Sequence, residues 1–528
     1  MWMFVVAAVL TVLGYWILSR PHSYWIRKGV PQLKPVFIFG DIWPLLFRKL
    51  SLPEMTQALY SSGQDLRYIG VYQFLRPVLL LRDLELIKQI TVKDFDHFMD
   101  HMSVADSHAD PLLGKNLAAL TGMKWKEMRS TLSPSFTSSK MKYMFSLMSQ
   151  NAEQFVNYFL QNDKEVIEVE MRDVITKFAN DVIANTVFGF ECDSLKEPNN
   201  EFYAMGKSAT DFTNIRTILV FMGYILVPKV LKFFKVKLFS DKINRYFRTI
   251  IKENIENREK HGVKRTDMIG LLLEARKNKQ NDDENNIIPD TGFATVKESE
   301  IGRNQTLRKR EITDEDITAQ GFVFFIAGFE SVSALMCFMS YELGVNQDVQ
   351  DKLRSEVDAT TKQCNGKVTY EALITMKYLD MVVSETLRKW PNAVATDRIC
   401  TKPYTIEPKT SEEKPLHLDK GTMILLPVYG IHRDPQYYPE PERFDPERFS
   451  DENKSKIMPY TFFPFGLGPR NCIASRFALM ETKLLFYYIL SNFKIIPVEK
   501  TQIPIRFNRK SINMAAEKGF WFALQRRG

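Results

Sequence analysis

A chain that contains the segment Thr313 to Phe338, TDEDITAQGFVFFIAGFESVSALMCF, has few folds open to it. After an acidic opening the segment is apolar on nearly every side at helical spacing, and a helix without a polar face must be enclosed by other elements. A buried helix over Asp314–Leu343 is therefore expected inside a large body. Thr313 and Asp316 have the spacing of a capping box, with Asp in place of Glu. Gly328, near the middle, costs about 1 kcal/mol relative to alanine, a cost that a local opening of the helix would explain.

Further helical patterns run over Ser146–Leu160, Met171–Val187, Ser240–Lys260, Tyr370–Lys389 and Ala474–Asn492. Short strand-like runs occur at Leu66–Gln73, Val78–Leu81, Arg398–Ile406 and Thr422–Val428. The periodicities predict a mainly α chain with small β-sheets at the two ends of the helical body. The polar tract Arg276–Arg310 reads as a solvated insertion, and its Asn304-Gln305-Thr306 has the glycosylation pattern.

The first nineteen residues, MWMFVVAAVLTVLGYWILS, carry no charge, and Arg20, Arg27, Lys28 and Lys34 follow. As a helix they would rise about 28 Å, enough to cross the hydrocarbon core. A cleaved signal peptide would have a basic start and small residues near its end, whereas Tyr15, Trp16 and Ile17 are bulky. Residues 1–20 are thus expected to be a membrane anchor. Residues 21–40 would form a basic, proline-containing connector, and 41–528 one large domain on the cytoplasmic side. A second apolar stretch, Thr217–Val227, is too short to span. It leads into PKVLKFFKVKLF, where Lys229, Lys232, Lys235 and Lys237 alternate with Leu231, Phe233, Phe234 and Leu238, suiting either headgroup contact or a core helix with a basic flank.

The net charge of +8 is mild for 528 residues, and no basic tract supports nucleic-acid binding. Five scattered cysteines (Cys192, Cys337, Cys364, Cys400, Cys472), without a CxxC pair, argue against a disulfide framework.

One cysteine stands out by context. PFGLGPRNCIASRFALMETK, Pro464 to Lys483, places Cys472 between a turn-rich loop and a helical pattern. It reads as a buried structural thiol, a zinc ligand, a nucleophile or the axial thiolate of a haem. Zinc needs several ligands at recognisable spacing, and the nearest histidine in sequence is His432. No base for a nucleophile is announced nearby, and no GxSxG, P-loop or GxGxxG is present. For a haem ligand, Gly466, Gly468 and Pro469 would fold the backbone tightly around the sulfur. The following helix would favour a thiolate, Phe465 would shield it, and Arg470 would pair with a propionate. Taken alone, the loop leaves these readings open.

With these residues the chain resembles a cytochrome P-450, and the stretch DPLLGKNLAALTGMKWKEMRSTLSPSFTSSKMKYMF, Asp110 to Phe145, resembles insect microsomal members of that family, which oxidise plant toxins and insecticides. The FxxGxRxCxG pattern is met at Phe465, Gly468, Arg470 and Cys472, with Ala474 in its last position. ETLR provides Glu385 and Arg388, and FDPERF provides Arg448, the three members of the family's Glu–Arg–Arg network. The (A/G)Gx(D/E)T motif is met at Ala327, Gly328 and Glu330, with Ser331 replacing threonine. KWKEMR matches WxxxR at Trp125 and Arg129. Arg398 falls where another propionate-binding arginine is usual, and Asn392 replaces a customary proline.

The resemblance implies a haem-thiolate monooxygenase holding haem b, with Cys472 as axial ligand to iron. Trp125, Arg129, Arg398, Phe465 and Arg470 would hold the haem, and Glu330 and Ser331 would relay protons to dioxygen. Phe322, Phe325, Ile326, Ala327, Val394, Ala395, Ile512 and Met514 would line a pocket for a hydrophobic substrate. With no flavin or nicotinamide fingerprint in the chain, electrons would come from NADPH through a separate cytochrome reductase, with cytochrome b5 as a second donor. Lys124, Lys126, Lys140, Lys142, Lys454 and Lys456 are either its docking face or solvated charge. The expected location is the endoplasmic reticulum membrane. The alternatives are a reductase-independent enzyme that rearranges peroxides or isomerises its substrate, a biosynthetic monooxygenase of an endogenous lipid or hormone, and a tethered haem sensor.

Overall fold

The central helix forms where its apolar surface demands, but not as one regular rod. It runs over Asp314–Ala327, opens into a π-helical turn at Gly328–Val332 and continues over Ser333–Val345. Its start is the expected capping box: Asp316 N–H donates to Thr313 Oγ1 at 3.2 Å, and Thr313 N–H donates to Asp316 Oδ2 at 3.1 Å. The extra residue in a π turn widens the backbone, the kind of irregularity that recurs at functional sites. At Gly328 a Cβ would come within 3.0 Å of Ile183 Cδ1, so the glycine also allows two helices to approach.

The computed structural model describes residues 2, 4–6, 16, 19–102, 110–211, 215–277, 292–295, 312–411 and 413–527. Helices surround the central one: Ser138–Leu160, Met171–Ile183, Asp241–His261, Gln347–Gln363, Lys377–Lys389 and Ser475–Asn492. The expected continuous helix Tyr370–Lys389 is two helices, because Glu356 caps a fresh start: its carboxylate accepts from Tyr378 N–H and Leu379 N–H, both at 2.8 Å. The expected strand Arg398–Ile406 is likewise split, with Pro403 in the gap.

Among the described residues nine strands make three small sheets. β1 (Tyr68–Gln73), β2 (Arg76–Leu81), β7 (Met423–Leu426) and β4 (Thr396–Ile399) form one in the order β1-β2-β7-β4, with only β2–β7 parallel. β3 (Val166–Glu170), β9 (Trp521–Arg526) and β8 (Phe493–Pro497) form the second, in the order β3-β9-β8. β5 (Tyr404–Ile406) and β6 (Leu416–Leu418) pair alone.

Two expected boundaries change. Part of the connector 21–40 is built into the domain: Trp25 is 0% exposed, and Gly70 on β1 has no side chain because a Cβ would lie 2.4 Å from the Trp25 ring. Of the insertion Arg276–Arg310, residues 278–291 and 296–310 lie outside the described residues, as does the Asn304 site. Within it, Phe293 packs on Phe449 and Phe462, because its N–H donates to Asp380 Oδ2 at 2.8 Å and pins the chain to the body. Most of the uncharged run 1–19 also lies outside the described residues. Among the described residues, one helix is long and apolar enough to cross a membrane, Asp314–Val345, and it is the core helix.

Candidate active site

Cys472 follows a loop whose shape depends on two glycines. Gly466 and Gly468 adopt φ of 80° and 66°, where side chains are disfavoured, and a Cβ at Gly468 would sit 1.8 Å from Thr91 O. The turn closes when Cys472 N–H donates to Phe465 O at 2.9 Å. Ala474 caps the Ser475–Asn492 helix at φ −98°, a conformation open to any residue, so the alanine there needs no compensation.

The sulfur faces a cavity with about 1080 Å³ of empty space, part of it open to solvent. Cys472 is exposed, yet its thiol is enclosed by protein, and the cavity reconciles the two. Burial raises the thiol pKa from its ordinary value, and the Ala474 amide and Arg129 only partly oppose it. The expected lowering by the helix start is therefore outweighed by desolvation; a metal cation would reverse that balance. Among the described residues no three His, Cys, Asp or Glu side chains gather as a metal site.

Opposite the cysteine loop stands the central helix. Phe324, Ala327, Gly328 and Ser331 reach the cavity, spaced i, i+3, i+4 and i+7, so one helix face forms the wall. This corrects the expected lining. Phe322 and Phe325 are fully buried on another face, stacked among Phe239, Phe247, Phe188 and Phe202, and do not line the cavity. A helix apolar all round gives no moment from which to choose the face. Ile326, Val394, Ala395, Ile512 and Met514 also stand outside this wall, whereas Ala327, Asn392, Ala393 and Thr396 belong to it.

Three guanidinium groups lie near one another, with Arg470 on the cavity lining and Arg398 and Arg129 close enough to act on its charge. Arg129, on the Gly122–Leu132 helix with Trp125, donates to Asn471 O and Oδ1, both at 2.8 Å. Arg470 donates to Leu120 O at 2.7 Å and lies over the Trp125 ring at 4.5 Å. Arg398 donates to Leu467 O at 3.0 Å and Asp397 O at 2.7 Å. Burial pulls Arg470 down to about 9, with Arg398 adding to the effect, and pulls Arg398 down to about 10. Arg470 Nη1 and Arg398 Nε are buried without a hydrogen-bond partner among the described residues. Buried cations with free donors form a built anion site. That site, the apolar slot and the single facing thiol together fit a haem with its carboxylate edge on the arginines. His101 joins them through Asp397, its Nδ1 3.1 Å from Asp397 Oδ1; nothing in its spacing marked it in the sequence.

Glu330 and Ser331 diverge. Ser331 is on the cavity wall and its Oγ donates to Ala327 O at 2.5 Å. Glu330 is off the wall, held by Arg172 Nη2 at 2.5 Å. Neither Arg172 nor Asn513, which also touches Glu330, was signalled by a motif.

Behind the loop the three charged residues expected as a network do meet. Glu385 and Arg388 are 0% exposed, and Arg388 Nε and Nη2 donate to Glu385 Oε2 and Oε1 at 2.7 and 2.8 Å. Arg448 Nε lies 3.5 Å from Glu385 Oε1. Arg388 Nη1 also donates to His432 O at 2.9 Å, and His432 Nε2 accepts from Phe463 N–H at 3.0 Å, which ties the network to the root of the cysteine loop.

His432 gives a pH prediction. Burial, then the Arg388 charge, push its imidazole from 6.5 down to about 3. Above pH 6.5 neither folded nor unfolded chain protonates it, so it contributes nothing. Below that the unfolded chain takes up the proton and the folded one refuses it, so stability falls between pH 6.5 and 3. Thermal unfolding should show wild type losing about 1.5 kcal/mol more than His432→Gln between pH 6.5 and 5. Equal slopes would remove this role.

Comparison with known proteins gives the family. The family model described as Cytochrome P450 matches residues 67–522. "Cytochrome P450 9e2" of Blattella germanica is 43% identical over 544 residues, covering 100% of this chain and 98% of that protein. "Probable cytochrome P450 9f2" of Drosophila melanogaster is 41% identical, covering 99% of each, and "Cytochrome P450 6k1" of Blattella germanica is 38% identical, covering 98% and 95%. With a cysteine loop and an opened helix facing each other across an apolar slot, the chain belongs to the cytochrome P-450 family of haem-iron monooxygenases.

Proposed function

We propose that this protein is a membrane-bound monooxygenase that inserts one atom of dioxygen into hydrophobic small molecules, xenobiotics such as plant toxins or insecticides. Its electrons would come from NADPH through a separate reductase. The observation that carries the reading is the cavity itself: apolar almost throughout, with Cys472 on one wall and the Ser331 hydroxyl on the other. Haem b bound there supplies dioxygen activation. Cys472 would supply the thiolate that holds its iron, and Arg129, Arg398 and Arg470, with Trp125 and Phe465, would hold and shield it. Phe324, Ala327 and Val332 exclude water from the substrate side. Ser331 Oγ is the hydroxyl that passes a proton into the cavity, replenished from Glu330.

Membrane association is supported by the uncharged first nineteen residues and by the Pro228–Phe233 helix, where Phe233 and Phe234 are 80% and 69% exposed beside Lys232 and Lys235. Residues 1–20 are assigned as the anchor, with the endoplasmic reticulum as the location. For the reductase or cytochrome b5, Lys124 and Lys140 are better docking candidates than Lys126, Lys142 and Lys454, which are already in ion pairs with Asp96, Glu371 and Asp451.

The test is turnover of an apolar substrate panel with reductase and NADPH under isotopic dioxygen. Labelled product supports the reading; product formed without reductase or NADPH sinks it and favours the peroxide-rearranging enzyme. Within it, Ser331→Ala should release several-fold more hydrogen peroxide per NADPH consumed. Unchanged coupling would remove the serine from the proton path.

A further inference from the structure

Glu330 belongs to the turn that borders the cavity, yet its carboxylate is held away from it. Oε1 accepts from Arg172 Nη2 at 2.5 Å and from Asn513 Nδ2 at 3.0 Å. These donors are far apart in sequence but share one mounting. Arg172 is the second residue of the helix that continues directly from β3. Asn513 sits in the turn of a hairpin closed by Asn508 N–H donating to Ala515 O at 2.8 Å, shortly before β9. β3 and β9 pair along their length, Met171 N–H donates to Phe520 O at 2.8 Å, and Phe520 N–H donates to Glu170 Oε1 at 2.7 Å. Glu330 stands on the other side of the joint, on the π turn of the central helix.

The Arg172–Glu330 pair is only half-buried, and one ion pair with access to water fixes a side chain weakly. A second donor on the same oxygen removes much of the remaining freedom, and hydrogen bonds to a charged group are the stronger kind. A carboxylate held in this way cannot reach the cavity side of Ser331 without leaving both donors.

We propose that Asn513 is a positioning residue which, with Arg172, parks Glu330 against the β3–β9 unit, and that this latch sets how readily Glu330 turns to supply the Ser331 hydroxyl. The proposal rests on the monooxygenase reading and adds which group governs its acid. The proton balance is simple. On leaving Arg172 the Glu330 carboxylate takes up a proton from water on its outer side and gives it to Ser331 Oγ, and Ser331 releases its own proton into the cavity.

The experiment uses the full haem-loaded chain with reductase, comparing wild type, Asn513→Ala and Asn513→Gln, the last keeping an amide. In Asn513→Ala the solvent deuterium isotope effect on product formation should be roughly halved, and Asn513→Gln should restore it. The carbon-monoxide spectrum and thermal midpoint should stay at wild-type values, which separates positioning from a structural role. A crystal structure of resting Asn513→Ala should show the Glu330 carboxylate turned away from Arg172. An unchanged isotope effect with Glu330 still on Arg172 overturns the proposal. If wild type shows no NADPH-dependent turnover, the functional reading fails, and the position of Glu330 in the variant crystal decides the latch by itself.

Discussion

Cys472→Ala should yield protein whose reduced carbon-monoxide spectrum lacks the band of a thiolate-ligated haem and whose turnover is abolished. Among the described residues Cys472 is the single cysteine on the cavity wall; Cys192, Cys337 and Cys400 are buried elsewhere and the half-buried Cys364 is also off the wall, so no other thiol can substitute. The loss should be chemical, not structural. The loop is closed by backbone hydrogen bonds and by Gly466 and Gly468, none of which needs the sulfur. The apoprotein of the variant should therefore unfold within about 1 kcal/mol of wild-type apoprotein. A thiolate band that survives the substitution would end the assignment of the ligand, and with it the roles given to Ser331 and the three arginines.

Glu385→Ala should have the largest effect on stability. The carboxylate serves Arg388 through two short bonds, lies near Arg448 and accepts Asp445 N–H at 2.9 Å, all without exposure. Removing it leaves the fully buried Arg388 guanidinium with no counterion, a change that costs about 3–5 kcal/mol. Domains are stable by only about 5–15 kcal/mol, so a large part of the total would go. Through Arg388 and His432 the damage reaches Phe463, where the cysteine loop begins, and haem content per chain should fall with stability. Glu385→Gln, which keeps shape and one acceptor, should lie between. Urea unfolding and haem quantification check both; wild-type haem loading with a midpoint shift worth under about 1 kcal/mol would contradict the argument.

Much of the site was legible because the relevant physics is local. Positive φ at Gly466 and Gly468 is a property of single residues, and the capping box at Thr313 spans one turn. Glu385 and Arg388 are three apart on one helix and meet whatever surrounds them. The pocket lining was less legible. Phe322, Phe325 and Phe324 are chemically alike, and only packing against Phe188, Phe202 and Phe247 decides that Phe324 faces the cavity. The connector was less legible for a similar reason: its basic residues and prolines mark a stretch between anchor and body, while the space left by Gly70 for Trp25 was invisible without β1 in place.

From residues alone came a buried central helix opened at Gly328, a mainly helical body with minor sheets, and a cysteine loop built to present one sulfur. Each follows from hydrophobic spacing or backbone preference within a few residues. The folded chain decided which helix face meets the cavity, that Arg398 and Arg470 stand together with donors to spare, and that Glu330 is turned toward Arg172 and Asn513. Those features join groups separated by tens to hundreds of residues, and a local pattern holds no information about which distant side chains will share its space.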